Sequence, residues 1–204
     1  MITAIILAAG QSKRMGNPKM LLPWGETTVL GKVIETLQLA EIKDFLVITG
    51  GAHTEVERII TQYGMRGVFN KEYATNEMLG SIQCGLRALI TPLASGEGQD
   101  KDWREAALIC LGDQPQVQER SVHLVCETFQ KTKSNLVVPS YRMRRGHPWL
   151  VARPLWNELL GMKFPQSPRD FLNAHAKEIE YVNLKTPTVI EDLDTPEDYR
   201  KFKP

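Results

Sequence analysis

The hydrophobic positions of this sequence follow two different spacings. Continuous apolar runs at residues 2–7, 45–48 and 106–111 are typical of strands that are buried on both faces of a sheet. Between these runs, apolar residues recur every three or four positions, which is the spacing of an amphipathic helix. The alternation predicts strand–helix–strand units, and therefore an α/β fold with a mostly parallel sheet that helices cover on both faces.

Polar and helix-breaking residues mark the expected ends of these elements. Thr28 is predicted to cap a helix because it precedes an apolar stripe formed by Val29, Leu30, Val33, Ile34 and Leu37. Further helices are predicted at residues 53–63, 81–90 and 121–131, and shorter strands at 67–69, 136–138 and 149–151. Prolines limit the elements of the last third to short lengths, at positions 154, 165, 168, 187 and 196.

The composition narrows the class of protein. The 204 residues suffice for one large domain, and since no linker or repeat divides them we expect a single domain over residues 1–204. A net charge of +1 argues against a protein that mainly coats nucleic acid or an anionic membrane. No apolar run approaches the roughly 20 residues of a membrane span. The polar segment at residues 91–104 is predicted to be a surface loop.

The cysteines indicate neither a metal site nor a disulfide framework. They are odd in number and widely spaced, at Cys84, Cys110 and Cys126, and no CxxC or Cys/His pairing is present. Cys110 and Cys126 lie on apolar patterns and are expected in the core. We therefore expect a reduced, cytoplasmic protein.

The loops after the buried strands are the candidate ligand sites, because a parallel sheet binds ligands outside the carboxyl ends of its strands. The first of them, residues 8–19, is rich in small residues whose N–H groups can approach an anion closely. Arg14 and Lys19 add two phosphate-binding cations. The alternative is a glycine-rich turn with solvated basic side chains. The spacing matches neither a dinucleotide-binding nor a Walker-type loop, so a triphosphate site of another kind is predicted.

Two acidic segments contain candidate metal ligands. Asp113 follows a buried strand, where Mg²⁺ would bridge its carboxylate to phosphate oxygens; the alternative is a turn-forming aspartate before Pro115. Asp192 and Asp194 lie two residues apart and point the same way in an extended segment, so that either would complete the metal site. Helix capping by Asp194 or Thr195 is compatible with that role.

Two further segments carry polar groups that suit substrate binding. Residues 142–148 form a basic run, which is either a solvated loop or a cradle for an anionic acceptor, with Gly146 permitting close backbone approach. A hydrogen-bond donor is available there in His147, but a metal-ligand role is not indicated, since no His or Cys partner is nearby. Ser81 is predicted to act as a helix N-cap, with contact to a nucleotide base as the alternative.

Together these motifs resemble the molybdenum cofactor cytidylyltransferase group of the MobA-like nucleotidyltransferases. The resemblance spans nearly the whole chain and rests on residues 7–23, Gly80-Ser81 with Gly85-Leu86, and the segments 112–115, 145–148 and 192–198. It implies a Rossmann-like three-layer αβα nucleotidyltransferase fold with a mostly parallel sheet, and a Mg²⁺-dependent enzyme. Residues 7–23 are specific for the superfamily. The other segments are weak signals individually and support the resemblance through their order and spacing.

The resemblance also implies roles for individual residues. The nucleoside and triphosphate would lie against Leu7, Ala8, Ala9 and Gly10. The expected catalytic residues are Arg14 and Lys19, which would hold phosphates, and Asp113, which would bind Mg²⁺. The second metal position would come from Asp192 or Asp194, and the base would contact Gly80 and Ser81. The acceptor would face Arg145, Gly146, His147 and Pro148.

The substrates follow from two short motifs. Ala9 is similar to the residue of cytidylyl-transferring relatives, whereas guanylyl-transferring ones tend to carry glycine there, so CTP is favoured over GTP. The Arg145–Pro148 motif favours molybdopterin as acceptor, and a molybdoenzyme would then be a candidate partner that receives the product. Met78 counts against the isoprenoid-pathway cytidylyltransferase, which usually has arginine at this position. The alternatives are transfer to a sugar or isoprenoid-precursor phosphate, and a catalytically silent nucleotide-binding protein.

Overall fold

The computed structural model describes residues 1–75, 77–91 and 104–204. The predicted surface loop at 91–104 lies outside the described residues except for its two ends. The described strands are β1 Ile2–Ala8, β2 Pro23–Trp24, β3 Thr27–Thr28, β4 Asp44–Thr49, β5 Arg66–Phe69, β6 Ala106–Leu111, β7 Leu136–Tyr141, β8 Arg144–Arg145, β9 Trp149–Ala152 and β10 Ile179–Asn183. The described α-helices are α1 Val29–Leu39, α2 His53–Gln62, α3 Glu77–Ile90, α4 Glu119–Thr132, α5 Trp156–Gly161, α6 Pro168–Ala174 and α7 Pro196–Phe202.

The main sheet has the strand order β10–β7–β9–β6–β1–β4–β5, and β8 pairs with the end of β7. The pairs among β6, β1, β4 and β5 are parallel, as is the pair β7–β10. Only β9 runs against its two neighbours on this path, with Trp149 opposite Ile109 and Ala152 opposite Ala106. Because of this reversal, the segment that precedes Trp149 lies at the edge of the sheet where β1 and β6 end.

The two faces of the sheet are covered by different helices. Ala4 and Ile6 of β1 are fully buried in a core formed with α1, α2 and α4. Ile5 of the same strand points the other way, into a core formed with α3, α5 and α6. Since successive residues of a strand alternate between faces, the continuous apolar runs are explained by burial on both sides. The expected Rossmann-like three-layer αβα fold is confirmed.

Local signals for the helix starts were correct in one case and wrong in another. The Thr28 hydroxyl accepts a hydrogen bond from the Gly31 amide at 3.0 Å, which confirms the predicted cap of α1. The predicted cap at Ser81 is wrong, because α3 already begins at Glu77 and Ser81 is only 4% exposed within it. The Ser81 hydroxyl instead accepts a hydrogen bond from Nδ2 of Asn70 at 3.2 Å. Ser81 therefore connects α3 to the end of β5.

The C-terminal helix is held against the N-terminal part of the chain. Thr195 caps α7 in a capping box with Asp198, which confirms one of the two predicted caps. Leu193 is fully buried against Trp24 and Val29, and Oη of Tyr199 donates to the carbonyl of Pro23 at 2.5 Å. This packing brings the acidic segment before α7 next to the loop that follows β1.

Burial accounts for the chemistry of the core cysteines. Cys110 and Cys126 are buried, as predicted, and all three cysteines are free thiols. Burial raises the pKa of the Cys126 thiol to about 12, so this side chain is protonated and packs as a small apolar residue.

No helix in the described ranges combines the length and apolar character needed to cross a lipid bilayer.

Candidate functional site

The loop between β1 and Lys19 is shaped by two residues in the left-handed backbone region. Ser12 has φ 50° and Gly16 has φ 71°. The backbone carbonyl of Ser12 accepts a hydrogen bond from the Met15 amide at 2.9 Å. The side-chain hydroxyl of Ser12 accepts a second one from the Lys19 amide at 3.0 Å. These bonds close the loop into a compact turn, from whose end the side chain of Lys19 projects.

The loop after β4 packs directly against the loop after β1. A Cβ atom on Gly50 would lie 2.5 Å from the Ala9 carbonyl oxygen and 2.8 Å from its Cα atom, so only glycine fits there. The neighbouring Gly51 amide donates to the same carbonyl at 3.3 Å. The loop after β4 therefore contacts the loop after β1 and fixes its position.

A cluster of two cations and two carboxylates lies at the same edge of the sheet. The Lys19 ammonium forms an ion pair with Asp113, at the end of β6, and lies 3.2 Å from Oδ1 of Asp194. Arg14 Nη2 approaches Oδ2 of Asp194 to 2.9 Å. Burial by itself lowers the pKa of Lys19, but the two carboxylates outweigh it and the pKa is raised. Lys19 is consequently a fixed positive charge at neutral pH.

Asp192 is placed differently from Asp194. Its Oδ1 accepts a hydrogen bond from Nε2 of Gln114 at 2.5 Å, and the Leu193 amide donates to the carbonyl of Asp113 at 3.3 Å. Although Asp192 reaches the surface, partial burial of its carboxyl and then the charge of Asp113 raise its pKa. The two aspartates that the sequence left as alternatives thus have different partners: Asp194 contacts the cations and Asp192 contacts an amide.

The donor set suits a divalent cation that is shared with substrate phosphates. Asp113 and Asp194 converge on a single positive group, the Lys19 ammonium. Mg²⁺ is usually held by one or two carboxylates and completes its shell with water and phosphate oxygens. Among the described residues, no three His, Cys, Asp or Glu side chains are gathered closely enough to hold a metal by themselves. The residues therefore fit a metal that arrives with the nucleotide.

The residues expected to contact the nucleoside are largely enclosed. Leu7, Ala8 and Ala9 are at most 7% exposed, so their side chains belong to the core and only their backbone is available at the edge. Gly10 is exposed, and the space where a Cβ atom would stand is open. Ser81 lies within α3 and is tied to Asn70. Gly10 is thus the open position of this segment.

A separate cleft of about 840 Å³ lies beside β8 and β9. Three arginines line it, namely Arg144, Arg145 and Arg169, and none of its described lining residues is acidic. It also includes Gly146 and His147 of the predicted acceptor motif, whereas Pro148 lines a small apolar cavity next to Cys110 instead. The cleft therefore combines room for a sizeable molecule with a positive wall.

The inner residues of the acceptor motif have structural partners. A Cβ atom on Gly146 would lie 2.3 Å from the carbonyl oxygen of Val189, so the close approach to this backbone already requires glycine. The expected approach of Gly146 to a ligand stays a prediction. The His147 amide donates to the same carbonyl at 2.8 Å. Nε2 of His147 is enclosed and has no hydrogen-bond partner, and burial lowers the pKa of the ring to about 4. The imidazole is therefore neutral at pH 7.

Sequence reasoning missed the partners of Arg145. Its side chain donates to Tyr181 of β10 and Asn173 of α6, at 2.9 and 2.7 Å. Both residues are distant in the sequence and belong to no recognisable motif, so no local signal could have identified them. The pairing is visible only once β10 has been placed beside β7.

Comparison with known proteins identifies the relatives of this chain. The family model for the MobA-like NTP transferase domain matches residues 4–179. The molybdenum cofactor cytidylyltransferase of Escherichia coli K12 is 27% identical over 202 residues, which cover 97% of this chain and 93% of that protein. A probable molybdenum cofactor guanylyltransferase of Bacillus mycoides KBAB4 is 27% identical over 150 residues, which cover 72% and 66%.

Solved structures agree with this relationship. The crystal structure of Rv0371c from Mycobacterium tuberculosis H37Rv superposes with a TM-score of 0.79 at 25% identity, covering 98% of this chain and 96% of that one. A crystal structure of the same mycobacterial protein in complex with manganese gives a TM-score of 0.73 at 25% identity, covering 99% and 97%. The structural similarity thus extends over nearly the whole chain.

Proposed function

This chain belongs to the MobA-like NTP transferase family and is a nucleotidyltransferase, and we propose that it transfers the cytidylyl group of CTP to the terminal phosphate of molybdopterin cofactor. The observation that carries the proposal is the cluster of Lys19 with Asp113 and Asp194 beside the β1 loop. Carboxylate and ammonium groups in this arrangement suit a triphosphate and a divalent cation that bind together. The similarity to a cytidylyltransferase over 97% of the chain supports the choice of substrates.

In this proposal the triphosphate lies over Gly10, and its oxygens accept hydrogen bonds from Arg14 and Lys19. Lys19 exchanges its carboxylate partners for phosphate oxygens, since an ammonium group has three donors and a flexible stem. Arg14 is well exposed, with 70% of its side chain accessible, and is free to turn towards the ligand. The loop thus supplies positive charge on the side of the leaving pyrophosphate.

Asp113 and Asp194 are the proposed ligands of Mg²⁺, because their carboxylates converge on one cation in the structure. The metal would neutralise charge on the α-phosphate and on the leaving group. The complex of Rv0371c with manganese supports a divalent cation in this fold. Asp192, bonded to Gln114, would hold the backbone of Leu193 and thereby the position of Asp194.

The reaction is an in-line displacement. A terminal phosphate oxygen of the acceptor forms a bond to the α-phosphorus of CTP, the bond from the α-phosphorus to the bridging oxygen breaks, and pyrophosphate leaves with that oxygen. A phosphate nucleophile is already deprotonated at pH 7, so no strong general base is needed. The protein acts through positioning and through fixed positive charge, which together can supply several orders of magnitude in rate.

The arginine-lined cleft is the proposed acceptor site. Its three arginines suit the phosphate of the acceptor, and its volume of about 840 Å³ accommodates a drug-sized molecule. The His147 ring would form part of the wall of this cleft as a neutral group, because its Nε2 is enclosed. The cleft begins at the same edge of the sheet as the triphosphate loop, because β9 is antiparallel to β6.

The direct test is product analysis. The protein is incubated with molybdopterin cofactor, Mg²⁺ and each of CTP, GTP, ATP and UTP in turn, and product masses and pyrophosphate are measured. We expect the molybdopterin cytosine dinucleotide, and a larger relative use of GTP by the Ala9→Gly variant. Formation of a nucleotide adduct with a sugar phosphate or isoprenoid-precursor phosphate, but not with molybdopterin, would contradict the acceptor assignment.

A further inference from the structure

The orientation of one arginine in the cleft is fixed by the protein itself. Nε of Arg145 donates to Oη of Tyr181 at 2.9 Å, and its Nη1 donates to Oδ1 of Asn173 at 2.7 Å. The guanidinium also lies 5.9 Å from the centre of the Tyr181 ring. Arg145 belongs to β8, and its partners belong to β10 and α6, so two other elements hold this side chain.

Both partners of Arg145 are uncharged. A carboxylate at either position would form a charge-assisted pair and would cancel much of the positive charge of the guanidinium. The amide of Asn173 and the phenol of Tyr181 accept hydrogen bonds without carrying a charge. A guanidinium has five N–H donors, and these two bonds leave the others available together with the full positive charge.

The surroundings of Arg145 preserve this charge. Arg144 and Arg169 line the same cleft, and the described lining residues include no aspartate or glutamate. An arginine that is already held loses less side-chain entropy when it binds an anion than a free one does. The planar fork moreover matches a phosphate group, which can accept two parallel hydrogen bonds.

We propose that Asn173 and Tyr181 are positioning residues that hold Arg145 as a charged, preorganised fork for a phosphate monoester. They make the cleft specific for an acceptor that carries such a dianion and exclude neutral acceptors of the same shape. The inference rests on the proposed function in one respect, namely that the acceptor bears a terminal phosphate. It does not require the acceptor to be molybdopterin.

The test uses two pairs of variants of the full chain. Asn173→Asp places a carboxylate against Arg145, and Asn183→Asp is its control, because Asn183 lines the same cleft and forms no hydrogen bond with Arg145. Tyr181→Phe removes only the hydroxyl that Arg145 Nε contacts. Its control is Tyr141→Phe, since Tyr141 stacks on Arg142, which lies outside the cleft.

Two quantities are measured for each variant. The first is the Kd for phenyl phosphate, a simple aromatic phosphate monoester, by calorimetry. The second is the steady-state KM for molybdopterin and for CTP. We expect Asn173→Asp to weaken phenyl phosphate binding and to raise the molybdopterin KM by about threefold to tenfold, and Tyr181→Phe by about twofold to threefold, since these groups are solvent-exposed. The KM for CTP and the melting temperature stay near their wild-type values.

The outcomes separate this inference from the proposed function. If the wild-type protein transfers nothing to molybdopterin, the acceptor assignment fails. The phenyl phosphate measurement then tests by itself whether Asn173 and Tyr181 position Arg145 for phosphate binding. The inference is overturned if Asn173→Asp and Asn183→Asp weaken phenyl phosphate binding equally, or if the wild-type protein does not bind phenyl phosphate. A parallel rise in the KM for CTP would likewise overturn it, because it would indicate a general structural effect.

Discussion

The ammonium group of Lys19 lies 3.2 Å from Oδ1 of Asp194, although 175 positions of the chain separate the two residues. The contact joins the loop after the first strand to the segment before the last helix. It exists because Leu193 is buried against Trp24, which holds this segment over the N-terminal part of the chain. This charge pair therefore forms only in the folded protein, where it joins the two segments of the proposed nucleotide site.

Removal of this ammonium group should therefore affect catalysis strongly. We expect Lys19→Met to reduce the rate of pyrophosphate release by about 10²–10³-fold, the usual effect of losing one electrostatic donor, and Lys19→Arg to recover part of it. Lys13→Met is the control, since Lys13 is an exposed cation of the same loop. Single-turnover measurements with saturating CTP check this. An equal loss in the Lys13 variant would show that the net charge of the loop matters and that the position of Lys19 does not.

The three aspartates should respond differently to the metal concentration. Asp113→Asn and Asp194→Asn are expected to raise the Mg²⁺ concentration for half-maximal rate by about tenfold or more and to reduce the rate by about 10²-fold. Asp192→Asn keeps an acceptor for the Gln114 amide and should change the Mg²⁺ requirement less than threefold. Rates are measured across a Mg²⁺ titration. If Asp192→Asn has the larger effect, Asp192 is the ligand.

The support of the first loop by Gly50 can be tested by adding one methyl group. Gly50→Ala would place Cβ 2.5 Å from the Ala9 carbonyl oxygen, so the β1 loop must shift. We expect a KM for CTP raised by about tenfold or more and a loss of stability of about 1–3 kcal/mol. Gly161→Ala is the matched control, because a Cβ atom there meets nothing within 4 Å. An unchanged KM for CTP in the Gly50 variant would show that the loop position is not critical.

The buried His147 ring should make stability depend on pH. Its pKa is lowered from about 6.5 to about 4 by burial, so its contribution is complete above pH 6.5 and is lost as the pH falls towards 4. The loss amounts to at most about 3 kcal/mol. His147→Gln should flatten the pH dependence of the urea midpoint between pH 7.5 and 4.5. His123→Gln, on an exposed part of α4, should keep the wild-type slope; equal slopes in all three proteins would contradict the assignment.

Much of the fold was predictable because the relevant signals are local. The apolar run of β1 and the Thr28 cap depend on neighbouring residues, and the structure confirms both. The Ser81 cap was wrong because the partner of its hydroxyl, Asn70, comes from another element. Leu79 continues the apolar stripe of α3 and was the available sign of an earlier start. The single domain and the roles of the site residues remain predictions.

The candidate site was only partly predictable, for the same physical reason. Asp113 was identified from its place after a buried strand, a position that the topology of parallel sheets makes informative. The choice between Asp192 and Asp194 depends on contacts with Gln114 and Lys19, which no spacing rule contains. The contacts of Arg145 with Tyr181 and Asn173 likewise depend on the folded arrangement of the chain, in which β10 lies beside β7.

The reversed direction of β9 has a consequence for how this protein can diversify. The acceptor motif and the strands that flank it form one continuous stretch, residues 136–152, which is paired with itself through Val137 and Leu150. The strands that precede the proposed triphosphate-binding loops, β1, β4 and β6, contribute no residue to that stretch, although β6 pairs with β9. Apart from Met78, the residues that line the proposed acceptor cleft lie between Ser140 and Asn183, so a change of acceptor can be confined to the part of the chain after β6 while the loops that follow β1 and β4 stay unchanged.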